Sequence, residues 1–153
     1  AAVGDMTLAA AGDFCATLRE LHIAGCAKVT DTGVRAIAAG CADLEVLQVD
    51  TCAGITDDGI QQLAASCPRL RAFQARQIAT LPRPVHSAAT TLCRVQAIGC
   101  CGVGDQALLA LVEHCPRLAR LDVRGCMRVS EVGIEACERR LPACKLFAQR
   151  DHA

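Results

Sequence analysis

Cysteine is the most chemically versatile residue in this sequence, and its spacing is periodic. The chain of 153 residues contains twelve cysteines. Seven of them form three series with a step of 26 residues: Cys15, Cys41 and Cys67; Cys26 and Cys52; Cys100 and Cys126. Thiols in this number could form disulfides, bind a metal ion or remain free.

The local spacing of the cysteines favours free thiols. No Cys-x-x-Cys pair occurs, and the close pairs Cys100–Cys101 and Cys137–Cys144 lack zinc-site spacing. Because 52% of the residues are hydrophobic, the chain can bury a core without disulfides. We therefore predict structural free thiols, no metal and no cofactor, with disulfides or a metal site as the alternatives. Free thiols indicate a reducing compartment, here the cytoplasm or nucleus.

The residues between the cysteines repeat as well, which is typical of a solenoid built one turn per period. In one turn, Leu44-x-x-Leu47-x-Val49 has the alternation of a half-buried strand. Each turn continues with a predicted helix, for which Thr30, Thr56 and Ser130 are the expected N-caps. The acidic residue after each cap is expected to interact with the positive end of the helix, and Pro68 and Pro116 follow two of the helix ends.

The two elements of each turn need different amounts of space, which predicts the shape of the stack. Parallel strands pair about 4.8 Å apart. Helices pack no closer than about 8–10 Å. The helical side must therefore be longer, so the strands line a concave face and the helices a convex one.

The pattern Leu44-x-x-Leu47-x-Val49-x-x-Cys52, followed by Ile55-Thr56-Asp57-x-Gly59, resembles the cysteine-containing subclass of leucine-rich repeats. The resemblance covers roughly residues 5–147. It implies an α/β leucine-rich repeat solenoid of about five turns, with parallel strands on the concave face and helices on the convex face. We expect residues 1–153 to form a single domain of this kind.

One turn breaks the rhythm, near residues 67–88. The first-cysteine slot of the next turn falls at Ala89, only 22 residues after Cys67. Pro82 and Pro84 exclude a full helix here, which predicts a tight extended connection. The alternative is a proline-rich rim that contacts a partner, with His86 as an exposed loop residue.

The two ends of the sequence match parts of a turn. Residues 5–14 fit the helical half of a repeat, and residues 141–147 fit a last strand. From these partial turns we expect the chain to be a piece of a longer protein.

Several function classes are not favoured by the composition. The formal net charge is zero, and no apolar run reaches transmembrane length, so neither a nucleic acid nor a membrane is predicted as a partner. The four histidines fall at unrelated slots: His22, His86, His114 and His152. Because no catalytic set or phosphate-binding loop emerges, we predict that the chain is not an enzyme.

The outward positions of the predicted strands are the better candidates for function. A protein partner is expected to bind there, through ten residues: His22, Gln48, Asp50, Gln74, Arg76, Arg94, Gln96, Arg120, Asp122 and Arg124. The arginines concentrate in the later turns, and arginine binds carboxylate or phosphate bidentately. They are either an anion-recognition patch or a solvated surface.

The cysteine-containing repeats are most similar to those of F-box and leucine-rich repeat proteins. This resemblance implies substrate recognition in a ubiquitin-ligase adaptor, where an F-box in another segment recruits the Skp–cullin machinery. One alternative is a structural or assembly subunit of a large ciliary or organellar complex. The other is a receptor for a phosphorylated small ligand on the arginine patch.

Overall fold

Short parallel strands and ten-residue helices make up the described part of the chain. The computed structural model describes residues 3–77 and 91–149, apart from the side chains of Asp57 and Ala64. Within these residues the helices are α1 Asp5–Phe14, α2 Asp31–Gly40, α3 Asp57–Ser66, α4 Asp105–His114 and α5 Glu131–Arg140. The strands are β1 Glu20–Ala24, β2 Val46–Asp50, β3 Ala72–Arg76, β4 Arg94–Ile98, β5 Arg120–Asp122 and β6 Lys145–Phe147.

The strands form one parallel sheet in the order of the sequence. His22 of β1 lies opposite Gln48 of β2, which lies opposite Gln74 of β3, at the 26-residue step of the cysteines. Gln74 lies opposite Gln96 of β4, so the short turn is confirmed as a step of 22 residues. The predicted α/β solenoid and its last strand, β6, are thereby confirmed. Pro82, Pro84 and His86 lie outside the described residues.

The core lies between the sheet and the helices. Leu47, Val49 and Phe73 are fully buried strand residues, whereas their neighbours in sequence point the other way. Ile37 and Leu63 cover the core from helices α2 and α3. The alternation predicted from the sequence therefore separates the buried side chains from those on the concave face.

Five of the seven periodic cysteines are small buried residues that bond to the neighbouring turn. Cys41 Sγ lies 3.3 Å from the carbonyl oxygen of Cys15, and Cys67 Sγ lies 3.5 Å from that of Cys41. All twelve cysteines lie within the described residues, and none of them forms a disulfide. Burial raises the pKa of Cys67 to about 11 and that of Cys115 to about 12. These thiols are therefore protonated at neutral pH, and the reactive thiolate is suppressed.

Thiol labelling of the native chain should divide the cysteines by burial. Cys15 and Cys101 are exposed, and three more are partly buried: Cys26, Cys93 and Cys144. We expect fast reaction of the two exposed thiols with Ellman's reagent and slower reaction of the next three. The other seven should react only after denaturation, when all twelve become available. Rapid native reaction of Cys67 or Cys115 would contradict this packing.

Three of the described helices, α2, α3 and α5, are capped at their N-termini as the sequence predicts. The hydroxyl of Thr30 accepts a hydrogen bond from the backbone N–H of Thr32, and the hydroxyl of Thr56 accepts one from that of Asp58. Ser130 accepts a hydrogen bond from the backbone N–H of Gly133 in the same way. These bonds satisfy N–H groups that have no partner within the helix.

The first acidic residue of a helix also holds the cap of the next turn, which the sequence analysis did not predict. Asp31 accepts hydrogen bonds from the backbone N–H of Thr56, at 2.7 Å, and from its hydroxyl, at 2.6 Å. The same pair of bonds joins Asp5 to Thr30 and Asp105 to Ser130. We call this series the aspartate relay; it links consecutive turns on the helical side.

The glycine of the Thr-Asp-x-Gly motif leaves room for this relay. A Cβ atom on Gly59 would lie 2.3 Å from Asp31 Oδ1, and one on Gly33 would lie 2.6 Å from Asp5 Oδ1. Both distances are shorter than any real contact of a Cβ atom. The repeated glycine is thus required by the carboxylate of the preceding turn.

Substitution Asp31→Ala should destabilise the chain by about 2 kcal/mol, because hydrogen bonds to a charged group contribute about 1.5–3 kcal/mol. Urea unfolding followed by circular dichroism measures this loss. Asp58→Ala is the matched control. It removes an acidic side chain from the first turn of α3, the helix whose cap Asp31 holds, and leaves the relay intact. Equal stability of the two variants would mean that the relay contributes nothing.

Candidate protein-binding face

The sheet register arranges the outward side chains in three rows across the strands, and we call this surface the concave face. The central row contains His22, Gln48, Gln74, Gln96, Asp122 and Phe147. One flanking row contains Glu20, Val46, Ala72, Arg94, Arg120 and Lys145. The other contains Ala24, Asp50, Arg76 and Ile98, with Arg124 just beyond the end of β5.

In the N-terminal part of the concave face, polar side chains bond to one another. Gln48 donates from Nε2 to Asp50 Oδ2 at 2.7 Å, so its carbonyl oxygen faces His22 Nδ1 at 2.8 Å. The other ring nitrogen of His22 lies 3.6 Å from Glu20 Oε2. The structure therefore joins three of the predicted residues in one chain of contacts and adds Glu20 to them.

The C-terminal part contains a buried carboxylate. Asp122 occupies its expected position in the central row, but its side chain is 0% exposed because Arg124 covers it. Arg124 donates from Nε to Asp122 Oδ1 at 2.9 Å and from Nη2 to Oδ2 at 2.7 Å. This bidentate pair makes Asp122 a support for Arg124 rather than a surface acceptor.

Opposing effects act on the pKa of Asp122. Burial raises the pKa, but the hydrogen bonds from Arg124 and the charges of Arg124 and Arg120 outweigh it, so the pKa is lowered from its ordinary value of 3.8. The pKa of Arg124 is raised in turn by its hydrogen bonds to Asp122. Both groups are therefore charged at neutral pH.

Phe147 of β6 lies beneath the two arginines, a contact that the sequence analysis did not predict. The guanidinium carbon of Arg120 lies 4.5 Å from the ring centroid, and that of Arg124 lies 6.0 Å from it. Arg120 Nε is buried and has no hydrogen-bond partner. The ring holds the Arg120 side chain by a cation–π contact.

Three cations lie side by side at this end of the concave face. Arg94, Arg120 and Lys145 are opposite one another on β4, β5 and β6. Arg94 and Lys145 are exposed. Arg76, on the other flanking row, is exposed as well and lies opposite Ile98. The structure thus brings together the arginines that the sequence predicted as neighbours and adds Lys145.

The rim of the concave face contains strained backbone. The residue directly after each of the first four strands has a positive φ, and so has Gly125, three residues after β5. Three of these five residues are glycines: Gly25, Gly99 and Gly125. Thr51 and Gln77 adopt φ = 54° at the same slot, where non-glycine residues are rare. The recurrence of Gly before Cys at three of these slots is the sequence signal that could have revealed this turn.

Metal-ligand clusters and long apolar helices are both absent from the described residues. In that part of the chain, no group of three or more histidine, cysteine or acidic side chains could hold a metal ion. Within residues 3–77 and 91–149, no helix combines the length and the apolar content that a bilayer crossing requires.

A parallel sheet with one strand per turn, together with helices packed on one side of it, defines a leucine-rich repeat solenoid. Residues 2–146 match the family model described as "FBD-associated F-box protein At5g56370, LRR repeats". The chain belongs to this family of leucine-rich repeats, whose domains are protein-interaction domains.

Comparison with solved structures gives a similar chain from the crystal structure of the Rad7 and Elc1 complex in yeast. The two chains are 13% identical, with a TM-score of 0.44. The match covers 94% of the present chain and 52% of the other, so this chain spans about half the length of the one it matches. No curated protein matches the sequence.

Proposed function

We propose that this chain is the substrate-recognition solenoid of an F-box-type ubiquitin-ligase adaptor, and that its concave face binds the substrate protein. The observation that carries the proposal is the match of residues 2–146 to the repeats of an F-box protein. In this role the chain has no catalysis of its own, and it would depend on an F-box elsewhere in the polypeptide to reach the Skp–cullin machinery.

The form of the concave face supports binding of a protein rather than of a small molecule. Six strands at about 4.8 Å spacing give a surface roughly 24 Å wide, which is the scale of a peptide or one edge of a folded domain. The face combines amide groups such as Gln74 and Gln96 with the cations beside them. A polar surface with a few arginines suits a regulated, reversible contact, and arginine is enriched among interface hot spots.

The proposal can be tested with the full-length protein in cells. A photo-crosslinking amino acid at Gln74 should capture a protein that becomes ubiquitylated and accumulates when the F-box is deleted. The same amino acid at Arg35, an exposed position on helix α2, is the control and should not capture it. A complete reading frame without an F-box would refute the adaptor role. So would a captured protein whose abundance does not depend on the Skp–cullin subunits.

A further inference from the structure

We propose that the partner carries an acidic segment, rich in aspartate and glutamate, and that this segment binds the cationic half of the concave face. We define the cationic half as Arg76, Arg94, Arg120, Arg124 and Lys145. The inference rests on the proposed function, because it names the chemistry of the partner at the same face.

The charge of this region is strongly one-sided. The outward positions of β3–β6, together with Arg124, contain these five cations and one carboxylate, Asp122, which gives a net charge of +4. The whole chain has a formal net charge of zero. The positive charge is therefore a local feature of this surface rather than a consequence of composition.

The arrangement of the cations leaves a charge that the fold does not neutralise. Arg94, Arg120 and Lys145 lie in register on adjacent strands, with about 4.8 Å between strands. Like charges directly opposite one another destabilise a sheet. Among the described residues, Asp122 is the single carboxylate on these strands, and Arg124 already occupies both of its oxygens. A row of carboxylates from a partner would remove this repulsion.

Two of the arginines are already held in place for such a partner. Arg120 is stacked on Phe147, and Arg124 is fixed by its bidentate pair with Asp122. Ordering a free arginine side chain on binding costs conformational entropy. Much of this cost has been met by the fold, so the remaining guanidinium donors can bind carboxylates with less loss of entropy.

Other anions fit the same surface less well. Nucleic acid binds open surfaces by stacking bases on aromatic rings, but the Phe147 ring is already covered by Arg120. The row spans three open strands, two of whose cations are exposed, and it does not enclose a small anion. Ile98 offers partly exposed apolar contact beside the cations, which suits the mixed side chains of a peptide.

Fluorescence anisotropy with the intact chain tests the inference. The probe is a short fluorescein-labelled peptide in which glutamate alternates with threonine, and its control has glutamine in place of glutamate. We expect the glutamate peptide to bind, with an affinity that falls as salt rises, and the glutamine peptide not to bind. A phosphoserine peptide and a single-stranded oligonucleotide of the same charge are measured beside them.

The double variant Arg94→Ala/Lys145→Ala should weaken binding of the glutamate peptide about tenfold, since each exposed ion pair contributes up to about 1 kcal/mol. Neither side chain packs in the core, so the fold should be retained. Arg35→Ala/Arg139→Ala removes the same charge from exposed positions on helices α2 and α5. This control should leave the affinity within about twofold, because distant surface charges are screened.

Equal affinity of the two double variants would overturn the inference, as would binding of the phosphopeptide or oligonucleotide without binding of the glutamate peptide. The outcome is separable from that of the adaptor role. If Gln74 captures a ubiquitylated substrate that Arg94→Ala/Lys145→Ala binds normally, the acidic segment is wrong and the adaptor stands. If the glutamate peptide binds as expected but the captured protein does not depend on the Skp–cullin subunits, the adaptor role is wrong and the acidic segment stands.

Discussion

Substitution Asp122→Ala is expected to destabilise the folded chain by about 2–3 kcal/mol, because hydrogen bonds to a charged group contribute about 1.5–3 kcal/mol. Asp122 is fully buried and accepts both hydrogen bonds of the Arg124 guanidinium. Its loss leaves Arg124 and Arg120 close together without a counter-charge. The loss of this carboxylate should therefore lower stability and also release the Arg124 side chain, which its two hydrogen bonds hold in place.

Asp50→Ala is the matched control for this prediction. Asp50 also projects from a strand onto the concave face, but it accepts a side-chain hydrogen bond from Gln48 at Oδ2, while Oδ1 is buried without a partner. Its removal should cost no more than about 1 kcal/mol, the net contribution of one ordinary hydrogen bond. Equal losses for Asp122→Ala and Asp50→Ala in urea unfolding would show that the buried pair has no special role.

The double variant Asp122→Ala/Arg124→Ala distinguishes the effect of an uncompensated arginine charge from the effect of losing the packing of Asp122. If the loss in Asp122→Ala arises from uncompensated positive charge, removal of Arg124 should restore part of the stability. A double variant less stable than Asp122→Ala would indicate that packing, rather than charge, is the dominant contribution.

The contribution of Asp122 should depend on pH in a defined direction. Because its pKa is lowered in the folded state, the unfolded state binds its proton first as the pH falls. The stabilisation is complete above the ordinary pKa of 3.8 and is lost as the pH falls through the lower folded value. The difference in stability between the native chain and Asp122→Ala should thus be constant near neutral pH and shrink below about pH 4.

The features that could be predicted from the sequence are those that depend on one turn alone. Leu44, Leu47 and Val49 give the strand because alternation is a local pattern, and Thr56 gives the helix start because a cap bonds within its own helix. The stacking of successive turns into a solenoid then follows from the constant period of the repeat. The position of the short turn was also predictable, because the step of 22 residues could be counted from the cysteine slots.

The features that were missed depend on contacts between turns. Asp31 was interpreted as the first acidic residue of its own helix, but its carboxylate also holds Thr56 of the next turn. The constant interval between each relay aspartate and the cap that it holds was a signal for this contact. Asp122 was expected to be an open polar position, because no sequence pattern shows that Arg124 folds back over it. Phe147 is not among the predicted residues of the face, because it lies on the sixth strand and the predicted outward positions come from the first five.

Substitution Gly40→Ala is expected to cost about 3 kcal/mol, at the upper end of the usual penalty for overpacking. Gly40 ends helix α2 against helix α1, where a Cβ atom would lie 2.0 Å from the carbonyl oxygen of Gly12 and 2.7 Å from its Cα. The obstructing atoms belong to the backbone, so no side-chain rotation can relieve the contact. Helix α1 would have to move away from α2 as a unit.

The close contact and helix propensity predict opposite changes in stability for Gly40→Ala, so the direction of the change distinguishes them. Helix propensity alone favours alanine over glycine by about 0.8–1 kcal/mol, so without the close contact Gly40→Ala would stabilise the chain. Ser66→Ala is the matched control, because Ser66 occupies the same slot of helix α3, immediately before the C-cap Cys67. That slot already accommodates a Cβ atom, and the substitution should change the free energy of unfolding by less than about 0.5 kcal/mol. If urea unfolding shows Gly40→Ala to be as stable as the native chain, helices α1 and α2 do not approach each other through Gly12 and Gly40.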